Sequence, residues 1–141
     1  MSHLITADAK FKVAAVANLA TAGGWTPVEI DATGFDRACF VVQRGSQTGA
    51  TKNTLRTSLY HAGTTAGTYA LASGTLGTMA NTTSNKAYQL EFSINASKPF
   101  LKLYGTGGGT GTATMACAAV AILYRGSRAL PPTQDVTVKL A

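Results

Sequence analysis

Residues 88–94 read Tyr-Gln-Leu-Glu-Phe-Ser-Ile. Tyr88, Leu90, Phe92 and Ile94 fall on one side of an extended chain, and Gln89, Glu91 and Ser93 fall on the other. This two-residue period is that of a strand with one face on a core and one turned away from it. Asn95 to Pro99 then forms a turn, and Phe100 to Tyr104 forms a second strand with Leu101 and Leu103 on one face. Working back toward the N-terminus, Leu55, Thr57 and Leu59 alternate with Arg56, Ser58 and Tyr60. Before them, Ala38 to Val42 is an apolar run too short for a helix, closed by Gln43-Arg44-Gly45. Val28 and Ile30 alternate with Glu29 and Asp31. The pattern predicts an all-β chain, an antiparallel β-sandwich of jelly-roll-like form over residues 25–128, with extended arms at both ends.

Working forward, GTGGGTGT at 105–112 predicts a flexible hairpin connection. Ala113 to Tyr124 follows and is apolar on both faces. Met115, Cys117, Ala119, Ala121 and Leu123 line one side; Ala116, Ala118, Val120, Ile122 and Tyr124 line the other. A sandwich strand ordinarily turns one face to water. A strand apolar on both faces calls for a second cover from its own arm, a neighbouring subunit or a larger shell. Residues 62–86 are the least regular stretch, with Tyr69 and Leu71 marking a short strand inside a surface excursion that is expected to carry contacts.

The ends are read as arms. In residues 1–24, Phe11 and Val13 alternate like a strand, whereas Phe11, Ala15 and Leu19 fit a helix face; a short helix capped by Thr6 and an extended arm are both open. At the other end, Pro131-Pro132 stiffens an exit into residues 129–141, where Val136, Val138 and Leu140 alternate with Thr137 and Lys139. That segment pairs either with its own sheet or with the sheet edge of a neighbouring chain.

Composition points the same way. Of 141 residues, 45% are hydrophobic and only 13% are charged, about half the usual charged share of roughly 25%. A neutral, Thr-rich surface loses water readily and suits protein contacts. The formal charge of +6 comes from basic residues scattered from Lys10 to Lys139, without the clustered stripe of a nucleic-acid footprint. Direct nucleic-acid binding is therefore not expected. No secretory leader is visible and no apolar run approaches the about 18 residues of a membrane helix, so a soluble protein made in a cytoplasm is expected.

The titratable residues offer little chemistry. Six carboxylates, two His and two Cys are spread along the chain. Asp31 and Asp36 flank a turn, and Asp36-Arg37 is expected as a surface ion pair. His61 reads as a solvated residue beside a loop. Ser58, His61 and Asp31 can be drawn as a triad, but no nucleophile elbow accompanies them. The glycine run lacks the spacing and following Lys-Ser/Thr of a phosphate loop. Cys39 and Cys117 read as two buried thiols, with a disulfide as the alternative, and they lack zinc-site spacing. No catalytic residue, metal or cofactor is expected.

Four stretches are similar to a group of small tailed-bacteriophage structural proteins found with capsid proteins. They are the N-terminal arm running into VEIDATGFDRACFVVQRG (28–45), TLRTSLYHAGTTAGTY (54–69), KPFLKLYGTGGGTGTATMACAAVAIL (98–123) and RALPP (128–132), about two-thirds of the chain in all. The resemblance implies a β-sandwich on the virion, a head decoration or cement protein produced in the bacterial host cytoplasm. It implies the major capsid protein as partner and self-association, with a trimer favoured. That family often carries an acidic turn where this chain reads HAGTTAGT (61–68), so no role of that turn carries over. The residues expected at subunit or capsid contacts are Phe11, Val13 and Leu19 in the N-terminal arm, Tyr69 and Leu71 in the excursion, and Val136, Val138 and Leu140 in the C-terminal arm. A head–tail connector or tail-tube subunit, and a carbohydrate-binding sandwich using Trp25, Tyr60 and Tyr69, are the competing readings.

Overall fold

The computed structural model describes residues 9–20, 23–49, 53–79, 85–109, 113–125 and 137–139. The described residues form strands β1 (Ala9–Ala20), β2 (Ile30–Asp31), β3 (Arg37–Thr48), β4 (Asn53–Ala62), β5 (Ala70–Met79), β6 (Lys86–Ser93), β7 (Phe100–Gly109), β8 (Thr114–Tyr124) and β9 (Thr137–Lys139). They make one five-stranded sheet in the order β1-β8-β3-β6-β9 and one four-stranded sheet in the order β2-β7-β4-β5.

Antiparallel pairing joins β1 to β8, β2 to β7, β3 to β6 and β4 to β5. This nesting is that of one long antiparallel ribbon wound over itself into two sheets. Its winding produces the double-sheet jelly roll and leaves few free edges. The fold is thus the all-β sandwich expected from the alternation.

The two inner faces fill each other. From the larger sheet, Phe40, Val42, Tyr88, Leu90, Phe92, Met115, Ala119, Ala121 and Leu123 are buried; from the smaller, Ile30, Leu55, Leu59, Leu101 and Leu103. A polar bridge crosses this core: the Thr57 and Tyr88 hydroxyls meet at 2.6 Å. Burial pushes the Tyr88 phenol up from its usual range, because removal from water disfavours the phenolate.

Several local expectations change. Ala9–Ala20, most of the segment read as an N-terminal arm, is strand β1, paired with β8 along its length; residues 1–8 lie outside the described residues. The helical alternative for this segment gives way because β8 offers a full antiparallel ladder. Ala70–Met79, read mostly as an irregular excursion, is strand β5. It is the edge of the smaller sheet, and its register against β4 shifts twice, near Ser58. The glycine run is largely strand too: Gly105–Gly109 belong to β7 and pair with Asn53–Thr57. Gly105 lies against the Trp25 indole, where a Cβ would come within 2.5 Å of ring atoms.

Arg37 makes an ion pair with Glu91 (3.0 Å), because the β3–β6 register sets Arg37 and Cys39 beside Ser93 and Glu91. The C-terminal segment pairs with the chain's own sheet. Thr137–Lys139 pairs in parallel with Gln89–Glu91. Residues 126–136, with Val136, lie outside the described residues, as does Leu140.

Candidate functional site

The larger sheet turns an unusual face outward. β1 and β8 pair Phe11 with Ile122 and Val13 with Val120, then slip by one residue between Val13 and Ala15, after which Val16 pairs with Ala118 and Asn18 with Ala116. The slip is a β-bulge with Ala14 as the extra residue. The Ala14 side is closed by Val28, whose N–H donates to the Ala14 carbonyl at 3.3 Å.

A one-residue insertion inverts the alternation of everything beyond it. Before the bulge, odd-numbered side chains point out, leaving Phe11 52% and Val13 56% exposed. After it, even-numbered ones do: Val16 is 79% exposed, and Leu19 pairs inward against Met115 at 1% exposure. Leu19 is therefore a core residue and not a contact residue as the sequence suggested. Val16 takes its place on the outside, and no local signal in the sequence marks the slip.

Beside these side chains, on the same face, lie Ala116, Ala118, Val120 and Ile122 of β8, exposed or half-buried. Every outward position of the β1–β8 pair from Phe11 to Asn18 is uncharged. Lys10 and Lys12 take the alternate positions, and both lie near enough to Asp31 to draw its carboxyl down. The larger causes of that lowering are the Thr33 hydroxyl and N–H. The result is an apolar strip with its nearby lysines turned away from it.

Next to the strip, across β3 and β6, the outward face is polar and closed. Glu91 accepts the Tyr124 hydroxyl (2.5 Å) and pairs with Arg37. Cys39 stands opposite Glu91, and burial, aided by that negative charge, pushes its thiol up to about 12. Cys117 points to the other face of the sheet, opposite Arg44, and burial lifts it to about 11. Cys39 pairs with Ile122, five positions from Cys117. At about 3.3 Å per residue the thiols lie far beyond the roughly 7 Å reach of a disulfide, and both are free.

The smaller sheet's outward face differs in kind. Tyr60 and Tyr104 meet edge to face with centroids 4.9 Å apart. Lys102 Nζ lies 4.2 Å from the centre of the Tyr69 ring and 3.9 Å from Glu29. Glu29 also accepts from the Thr65 hydroxyl (2.5 Å), the Tyr69 hydroxyl (2.5 Å) and the Ala66 N–H (3.2 Å). These donors, Thr65 foremost, hold the Glu29 carboxyl below its usual range. Leu71, opposite Tyr60, is exposed on this face as well.

The predicted contact residues thus divide between two opposite faces. Phe11 and Val13 lie on the larger sheet, and Tyr69 and Leu71 on the smaller. Val138 sits at the β9 edge beside Leu90 in register. Trp25, an expected sugar contact, is buried and donates its indole N–H to the Leu103 carbonyl (2.7 Å). Tyr104 is the residue that sequence reasoning left out of the aromatic group. Its place opposite Leu101 and Leu103 on β7 was the available sign.

The paper triad does not assemble. Ser58 and His61 are three residues apart on the regular β4–β7 ladder and point to opposite faces. His61 sits near the end of β4 beside the loop, as expected, but its ring lies edge-on to Phe92 rather than free in solvent, and desolvation lowers its pKa. Among the described residues no group of His, Cys, Asp and Glu could hold a metal ion, and no helix is long and apolar enough to cross a membrane.

No protein-family model matches the chain, and no curated protein matches it. Among solved structures, the chain is similar to one in the structure of infectious bursal disease virus, Gx strain, with a TM-score of 0.38 and 14% sequence identity over 86% of this chain and 33% of that one. The chain spans about a third of the length of that viral chain.

Proposed function

We propose that this chain is a structural subunit of a virion, of the head-decoration or cement type, that docks on the major capsid lattice through the outer face of its larger sheet. The carrying observation is the uncharged strip of Phe11, Val13 and Val16 beside Ala116, Ala118, Val120 and Ile122. A contiguous exposed apolar face on a small soluble domain marks a surface that another protein covers. The small side chains of β8 let a partner backbone approach closely. Jelly rolls are common among viral capsid and lectin domains, which is an analogy of fold and not of site.

On a lattice, many weak copies act together, and oligomers of the subunit would add avidity. Binding only to the assembled shell raises the cost of disassembly by linkage. The test is binding to undecorated capsids of the parent virus. Val13→Asp together with Val16→Asp, which replaces no core residue, is expected to abolish binding while leaving thermal unfolding unchanged. Removal of residues 130–141 measures the share carried by the C-terminal segment. Wild-type binding by the double variant would overturn the assignment of this face. Mass measurement of the free protein separates a trimer from the rings of about six or twelve copies expected of a connector or tube subunit.

A further inference from the structure

We infer that the outer face of the smaller sheet is a saccharide-binding platform, built by Tyr60, Tyr104 and Tyr69 with Arg56 and Ser58 alongside. It faces away from the apolar strip, so a subunit seated on a shell by its larger sheet would hold this platform outward. The inference does not depend on that seating, because it can be tested on the isolated chain.

The geometry comes from the β4–β7 ladder. Ser58 stands opposite Tyr104 and Tyr60 opposite Lys102, which sets the two tyrosines diagonally on one face. They meet edge to face at 4.9 Å and 65°, so the two rings brace each other and meet a ligand at an angle. Tyr104 remains 36% exposed. Tyr69 enters the same face from the loop before β5, held by Glu29. Further along β4, Arg56 lies over Gly108, where a Cβ would come 3.9 Å from its Nε. Fixed aromatic rings offer faces to the C–H surface of a sugar, and their rigidity keeps the entropy cost of binding low.

The charge pattern selects the ligand class. Lys102 is already engaged by Glu29 at 3.9 Å and by the Tyr69 ring at 4.2 Å. Among the described residues of this face, that leaves Arg56 as the one cation not balanced by a carboxylate. A polyanion such as single-stranded nucleic acid wants several cations along its track. A neutral polyhydroxyl chain wants aromatic faces, hydroxyls and a single guanidinium fork, which is what Tyr60, Tyr104, Ser58 and Arg56 supply.

The test is an NMR titration of the full chain with neutral hexasaccharides of β-1,4-glucose, β-1,4-N-acetylglucosamine and α-1,6-glucose, with an oligothymidylate as the polyanion control. At least one sugar is expected to shift the amides of Arg56, Ser58, Tyr60, Tyr104 and Thr106 together. Tyr104→Ala should weaken that sugar by about tenfold or more, while Tyr104→Phe retains binding because the ring face remains. Both variants should melt as the parent does. Absence of shifts with all three sugars at millimolar concentration overturns the inference. So do shifts that map to another face, or tighter binding of the oligothymidylate at this one.

Discussion

The Trp25 indole lies flat against Gly105, with the ring atoms occupying the place where a Cβ at position 105 would project, 2.5 Å away. The contact closes the side of the sandwich where the chain leaves β1 and passes along β7. It is fixed by the Trp25 indole N–H to Leu103 carbonyl bond and by the Trp25 N–H to Gly105 carbonyl bond (3.1 Å). Gly105→Ala is therefore expected to destabilise by about 1–3 kcal/mol through overpacking, read as a lower urea midpoint with an unchanged slope. In a Trp25→Leu background the same substitution should cost much less. Equal costs in both backgrounds would show that the ring is not the obstacle.

The bulge at Ala14 makes neighbours on one strand respond in opposite ways. Leu19→Ala removes a fully buried side chain and should cost about 2–5 kcal/mol. Val16→Ala touches solvent and should stay within about 0.5 kcal/mol. Equilibrium urea unfolding of the two variants checks the pair. A large cost at Val16 with a small one at Leu19 would mean that β1 runs without the slip.

Both thiols should be inert in the native protein. Their folded-state values, about 12 for Cys39 and about 11 for Cys117, lie above the ordinary 9.0, so the folded chain keeps protons that the unfolded chain releases. The stability they contribute is present below pH 9 and is lost as pH rises through the folded values, at up to about 1.4 kcal/mol per pH unit for each thiol. Ellman's reagent at pH 8 is expected to find no reactive thiol until denaturant is added. The urea midpoint should fall between pH 8 and pH 10.5, and fall less in a Cys39→Ala, Cys117→Ala variant.

Glu29 should make the loop before β5 sensitive to acid. Its folded value lies below the ordinary 4.5, so its contribution is present above that value and is lost as pH falls through the folded one. The Ala66 amide, which donates to Glu29 from a positive-φ residue (φ 54°), reports on the loop directly. Hydrogen exchange at Ala66, corrected for intrinsic rates, should lose protection as the carboxylate protonates. In Glu29→Gln that protection should be weak throughout. Strong protection in the variant at neutral pH would show that the carboxylate does not hold the loop.

The amino-acid sequence by itself determined the class of fold. Alternation in Tyr88–Ile94 and Leu55–Leu59, and the short apolar run Ala38–Val42, carry a strand's period in their own residues, and low charge with many Thr and Gly residues left helices little to work with. It also showed that β8 is apolar on both faces. It could not show that Leu19 turns inward while Val16 turns out, because a β-bulge depends on how β1 registers against β8, about a hundred residues away in the chain. The same holds for Trp25 finding its place on Gly105, and for Tyr104 joining Tyr60 and Tyr69. Local periodicity is written in neighbouring residues, whereas register and the meeting of distant strands are decided only when both sheets compete for one core.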